Sequence, residues 1–260
     1  MSLLDHERYC AEIVHQTEQL IALLPGADLA ATVPSCPDWN LRRLVLHVGG
    51  AHRWAEFLVR TRAVEHTERP KLDQYTGPDD DAHALGAYLL AGAERLVAAL
   101  REAGPETKVW AWVGMSNARF WARRMTLETL IHRADVALTV GAEFEVAPEV
   151  AADAIDELLE ILPHVPRAEL ATTAAELNGR SLHLHATDSP VEVNAEWLIA
   201  FGDEGFTWRR GHEKATVALR GPLAEVVRVF FRRLPADSER VEVLGDRALL
   251  DTWLARSTFG

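Results

Sequence analysis

The sequence predicts an α+β protein, with an N-terminal four-helix bundle over residues 1–145 and a smaller α+β domain over residues 146–260. Two observations carry this. Apolar residues recur at helical spacing in the first part of the chain and give way to two-residue alternation after about residue 145. At roughly 150 residues per domain, the 260 residues also allow one large or two medium domains.

The elements follow in order. Residues 5–24 read as a helix with Asp5 as N-cap, Ile13, Leu20, Ile21 and Leu24 at helical spacing, and Pro25-Gly26 as its stop. The stretch 33–38 is rich in turn formers and reads as a loop. A second helix starts near Asn40 and runs to about Arg62, and the polar, Pro-containing residues 63–79 read as a loop. Asp79 to Asp81 open a third helix that ends near Gly104-Pro105, residues 109–113 read as extended, and a fourth helix runs from about Ser116 to Thr139 with Gly141 as C-cap. A helix over 147–162 ends at Pro163. Alternation predicts strands at 181–186, 196–201, 216–219 and 241–244, with helices at 222–234 and 246–256.

Composition excludes several classes of function. The chain carries 27 basic and 39 acidic residues, a formal net charge of −12, which disfavours a nucleic-acid binder because phosphates call for a basic face. A 48% hydrophobic content supplies a core and excludes disorder as the main state. Two cysteines, Cys10 and Cys36, make neither a disulfide scaffold nor a cysteine-rich zinc module. Residues 1–10 lack an apolar signal core, and no apolar run approaches the roughly 18 residues of a membrane span. The expectation is a cytoplasmic globular protein without a membrane partner.

The chemistry starts from the 11 histidines. A lone helical histidine is usually a surface or core residue. Three histidines follow an acid by four residues, in Asp79/His83, Glu128/His132 and Glu160/His164. The first sits at a helix start, where an acid answers the helix dipole, and the last is interrupted by Pro163. Only Glu128/His132 lies in mid-helix, where the two side chains share a face about 5–6 Å apart at Cβ. Trp121, Arg124, Glu128, His132 and Asp135 project as one narrow stripe bordering the apolar Leu127, Ile131, Ala134 and Leu138. Such a stripe points into a cleft, though spacing alone equally suits a solvated acid–histidine pair beside Arg124. His47 projects inward with Leu44, Ala51, Trp54 and Leu58, whereas His52 projects away from that side. Two histidines and one carboxylate from two helices match a catalytic zinc set that keeps a position open.

The run Val33-Pro34-Ser35-Cys36-Pro37-Asp38-Trp39, followed by Leu41 to Gly49 with His47, resembles the opening motif of the mycothiol-dependent maleylpyruvate isomerase family. So do Arg123-Arg124-Met125, Glu128, His132-Arg133 and Asp135, and, towards the C-terminus, Leu182-His183-Leu184-His185-Ala186-Thr187-Asp188 and Val241-Glu242-Val243-Leu244-Gly245-Asp246. The resemblance covers nearly the whole chain. It implies a DinB-like four-helix bundle and a sterol-carrier-like C-terminal domain. It places the metal ligands on His47, Glu128 and His132, the metal being a divalent ion, zinc first. It also implies an active-site arginine before a proline in the C-terminal part, for which Arg233 is the candidate, and mycothiol or another low-molecular-weight thiol as cofactor. The chain departs from the family pattern at Asp38, where glycine is common, at Ala134, where tryptophan is common, and at Arg232, where a small residue is expected.

The expected function is therefore a metal- and thiol-dependent isomerase or transferase acting on a small electrophilic acid. A site with about one net positive charge favours a thiolate, which attacks an electrophile. Arg233 and Arg124 are expected to bind the substrate, and Asp135, one turn beyond His132, to hold that imidazole. The alternatives are a metal-dependent hydrolase or transferase using activated water, and a metal- and ligand-binding protein without turnover. Cys36 reads as a packed small residue, with a fourth ligand or reactive thiol as the other reading. His183 and His185 share one face of a strand, read as packing or solvent exposure rather than a site.

Overall fold

The computed structural model describes residues 4–67, 81–164, 173 and 175–257. The loop expected over 63–79 and the helix start expected at Asp79 lie largely outside these residues. The chain forms two compact units, one of Leu4–Phe144 and one built on Glu145–Gly260.

In the first unit four long helices pack together: α1 (His6–Ala22), α2 (Leu41–Thr61), α3 (Ala82–Ala103) and α4 (Ala118–Val140). Each begins on a residue whose side chain accepts a hydrogen bond from the first turn: Asp5 from Arg8 N–H, Asn40 from Arg43 N–H, Asp81 from Ala84 N–H and Asn117 from Phe120 N–H. α4 ends on Gly141 in the left-handed conformation, φ 71°. Leu20 from α1 and Leu24 just beyond it, Leu41, Leu44, Val45 and Val48 from α2, Leu85 and Leu89 from α3, and Val136 from α4 close into one core. Gly49 is required where α2 meets α3, because a Cβ there would stand 2.6 Å from the Tyr88 ring. That ring in turn carries the Arg53 guanidinium 3.6 Å from its centroid.

Two hairpins differ from the sequence expectation. Residues 33–38, expected as a loop, form β1 (Thr32–Val33) and β2 (Cys36–Asn40), paired antiparallel. Extension expected over 109–113 becomes a hairpin of β3 (Lys108–Ala111) and β4 (Gly114–Asn117). Ser116 pairs with Val109 in that hairpin, so α4 starts two residues later than expected, on its Asn117 cap. Asn117→Ala is expected to cost about 1 kcal/mol. A lowered urea midpoint checks this, and an unchanged one would show that the hairpin alone sets the start of α4.

The second unit holds α5 (Pro148–Ile161) and a five-stranded sheet of β5 (Ser181–Ala186), β6 (Glu196–Gly202), β7 (Gly205–Arg210), β8 (Val217–Gly221) and β9 (Glu242–Gly245). The order is β7-β6-β5-β8-β9, with only the β5–β8 pair parallel. α6 (Leu223–Phe230) and α7 (Arg247–Arg256) belong to the same unit. The buried Asp156 of α5 accepts from Trp197 Nε1 at 2.7 Å and pairs with Arg210 at 2.7 Å, which fastens that helix to β6 and β7. β7 escaped the sequence reading because it is an edge strand with no fully buried residue, so its alternation carries little apolar contrast.

α6 is shorter than the helix expected over 222–234. Arg232 takes the left-handed conformation, φ 63°. The N–H of Arg232 then donates to Val229 O and that of Arg233 to Arg228 O, a Schellman stop. The following Leu234-Pro235 disfavours further helix. No helix among the described residues is long and apolar enough to cross a membrane.

Candidate metal centre

α4 carries Glu128 and His132 one turn apart, and α2 presents His47 to them. His47 Nε2 lies 3.0 Å from Glu128 Oε1, and His132 Nε2 lies 3.4 Å from the same oxygen. One ligand atom from each residue falls within 4.8 Å of the other two. The two imidazole rings stand edge to face with centroids 5.0 Å apart. His132 is buried, while His47 and Glu128 are half-buried, so the group has an open side.

The surrounding side chains orient these donors. Arg124 Nη2 donates to Glu128 Oε2 at 3.1 Å, which leaves Oε1 facing the two imidazoles. Asp135, fully buried, takes His132 Nδ1 at 2.8 Å through Oδ2. A carboxylate only accepts, so Nδ1 carries the proton and Nε2 is the nitrogen turned towards Glu128. Ser35, in the turn between β1 and β2, donates its hydroxyl to the other oxygen of Asp135. Trp39 of β2 lays its ring 4.7 Å from that of His47 and 6.3 Å from that of His132.

Electrostatics bind the group together. Burial opposes charge on Glu128, yet its hydrogen bonds to His132 and His47, with the charges of His132 and Arg124, hold its carboxyl well below the usual carboxylate range. Burial likewise opposes a protonated His132, but hydrogen bonds to Asp135 and Glu128 outweigh it and raise the ring to about 9. A divalent cation suits this arrangement: two imidazole nitrogens and a carboxylate oxygen converge, and a buried carboxylate backs one imidazole as histidine metal ligands commonly require. Asp135→Asn is expected to weaken zinc binding by about 10–100-fold, measured by titration of metal-free protein. Unchanged affinity would show that Asp135 serves only to pack α4.

His52 is absent from this group. Its side chain is fully buried and its Nε2 lies 2.8 Å from Thr129 Oγ1. Burial, with the adjacent Arg53 charge, pushes its pKa down to about 3, so it stays neutral. Cys36, on β2, is not part of the group, and neither cysteine is in a disulfide. Arg124, expected to bind substrate, is engaged by Glu128. Arg233, in the second unit, donates from Nη1 to Phe231 O at 2.6 Å. Ser35 and Trp39 were within the opening motif, but no spacing rule assigned them a role. They reach α4 and α2 only through the β1–β2 hairpin.

Fold and site together define an α+β protein whose helical unit holds a His–Glu–His group across two helices. Residues 10–137 match the model of the mycothiol maleylpyruvate isomerase N-terminal domain, and residues 149–252 that of the C-terminal domain of the same family. The chain belongs to the mycothiol-dependent maleylpyruvate isomerase family. The crystal structure of a mycothiol-dependent maleylpyruvate isomerase superposes on it with a TM-score of 0.56 at 16% identity, covering 92% of this chain and 93% of that one. A mutant of that enzyme gives 0.55 with the same identity and coverage. At this identity the likeness is one of fold. No curated protein sequence matches the chain.

Proposed function

We propose that the protein is a metal- and thiol-dependent isomerase or transferase acting on a small electrophilic acid, with His47, Glu128 and His132 as the metal ligands. The observation that carries this reading is the convergence of these three donors, with Asp135 holding His132 from behind. A bound divalent ion, zinc by donor type, would lower the pKa of a thiol brought to it. The chain's own residues do the rest. Asp135 keeps the proton on His132 Nδ1, Arg124 fixes the Glu128 carboxylate, and Trp39 covers one side of the imidazoles with apolar surface.

Membership of the family supports mycothiol as the thiol and maleylpyruvate as the first substrate to try. Arg233, which resemblance singles out, is proposed to bind the substrate carboxylate, since a guanidinium fork matches that group. Arg233→Ala is expected to lower turnover at least about tenfold, the loss of one charge-assisted contact, with metal content unchanged. Unaltered turnover would remove Arg233 from the site.

The deciding experiment is elemental analysis of the purified protein, followed by an isomerisation assay with mycothiol, with other small thiols and without thiol. Thiol-dependent turnover that disappears with the metal supports the proposal. Turnover indifferent to thiol would replace it with water activation, and stoichiometric metal without turnover of any electrophile would replace it with a binding role.

A further inference from the structure

We propose a second metal site, on the sheet of the C-terminal unit, formed by His183, His185, Glu196 and His212 and suited to zinc or a neighbouring borderline divalent ion. This inference is independent of the function proposed above.

The four side chains come from three segments that the sheet brings to one face. His183 and His185 are two apart on β5 and therefore point the same way. Glu196 stands directly opposite His185 in the antiparallel β5–β6 ladder. His212 lies just beyond β7, where the N–H of Gly211 donates to Glu196 O at 3.0 Å and keeps the chain alongside β6. Gly211 has φ 145°, a conformation that side-chain-bearing residues rarely adopt, and it delivers His212 over the same face.

The result is a convergence on a single point. His183 Nε2 and His185 Nδ1 each lie 2.9 Å from Glu196 Oε2, and His212 Nδ1 lies 2.6 Å from it. The three rings stand edge to face with centroids 5.2–5.6 Å apart, and one ligand atom from each of the four residues lies within 4.8 Å of the others. One carboxylate oxygen offers about two lone-pair sites, so three ring nitrogens on Oε2 exceed what hydrogen bonding alone accommodates. A cation shared among three nitrogens and the oxygen satisfies all four.

Burial lowers the pKa of His183 against the pull of Glu196, and the neighbouring His185 and His212 lower it further. For Glu196 burial acts upward, but the hydrogen bond from His212 and the charges of His185 and His212 keep its carboxyl below the usual range. Three nitrogens and one oxygen select zinc, copper(II), nickel or cobalt over magnesium and calcium, which seek six or more oxygens. With four protein donors the site is closed rather than catalytic. Its ion would tie β5, β6 and the end of β7 together. His183 is buried and His212 exposed, which leaves an entry side.

The test uses tag-free full-length protein stripped with a chelator and titrated with zinc by calorimetry, with cobalt(II) absorption as a second readout. The first protein is the variant Glu128→Gln/His132→Ala, in which the N-terminal group is disabled. It is expected to bind one zinc per chain and to melt at a higher temperature with zinc than without. Adding His185→Ala/His212→Ala is expected to abolish both effects. His212→Ala alone, at the exposed edge of an otherwise intact sheet, is expected to weaken the site more than the roughly 10–100-fold of an outer partner and to reduce the zinc content of the otherwise unaltered protein by one equivalent. Absence of zinc binding in the Glu128→Gln/His132→Ala protein while its sheet stays folded overturns the proposal. Zinc content unaffected by His212→Ala overturns it too. Because the first measurement is made with the N-terminal group disabled, failure of the isomerase reading leaves this outcome untouched.

Discussion

His132→Ala is expected to remove one equivalent of zinc per chain and to reduce thiol-dependent turnover more than 100-fold, beyond the roughly 10–100-fold of an outer-partner change. The cause is local. In the proposed ligand set His132 is one of three donors, and it is the link between Glu128 and the buried Asp135. Its loss leaves His47 and Glu128, two donors where a catalytic zinc keeps three. Glu128→Gln is expected to act in the same direction, because it removes the negative charge that Arg124, His47 and His132 all answer. Metal analysis and a rate measurement, made beside a melting curve, check the result. Full zinc content in His132→Ala protein would remove this residue from the ligand set. A fall in melting temperature large enough to account for the lost activity would assign His132 a packing role instead.

Trp121→Ala is expected to destabilise the N-terminal unit by about 3–5 kcal/mol, the usual cost of truncating a large buried aromatic residue. Trp121 is fully buried, with ring centroids of Trp54, Trp112 and Phe120 at 5.4, 5.6 and 5.7 Å, all in near-perpendicular geometry. Its indole Nε1 donates to Trp110 O at 2.9 Å. Truncation thus opens a cavity, breaks three edge-to-face contacts and leaves the part-buried Trp110 carbonyl without this donor. The expected loss of melting temperature is roughly 10 °C, read by circular dichroism. A shift of only a few degrees would show that the surrounding rings collapse into the space.

Trp121 also shows how the site depends on the core. The sequence projection set it on one stripe with Arg124, Glu128, His132 and Asp135. The structure divides that stripe: Trp121 is sealed among aromatic rings at one end, Asp135 is sealed at the other, and Glu128 between them is half-buried. Helical periodicity sets the direction in which a side chain leaves the helix. What lies in that direction comes from other elements, so one stripe can run from core to site and back to core.

The sequence by itself determined the features that depend on a few neighbouring residues. The capping residues Asp5, Asn40 and Gly141 marked helix ends because their side chains or backbone freedom satisfy groups within the adjoining turn. Glu128 and His132 shared a face because one helical turn separates them. The change from helical to alternating spacing announced the sheet. Tertiary structure alone decided which distant groups meet. Helical projection had already separated His47 from His52, but only the packed structure supplied their partners, Glu128 for His47 and Thr129 for the sealed His52. It brought Ser35 to Asp135 across 100 residues, and it placed the alternating His183 and His185, for which spacing suggests packing or solvent exposure, in a cluster with Glu196 and His212. It also paired β5 with β8 in parallel and left β7 at the edge. The physical reason is range. Hydrogen bonds and side-chain spacing within a turn or a strand are written in adjacent residues. The meeting of two segments depends on how every helix and strand buries its apolar face at once, and that is settled only when the chain has folded.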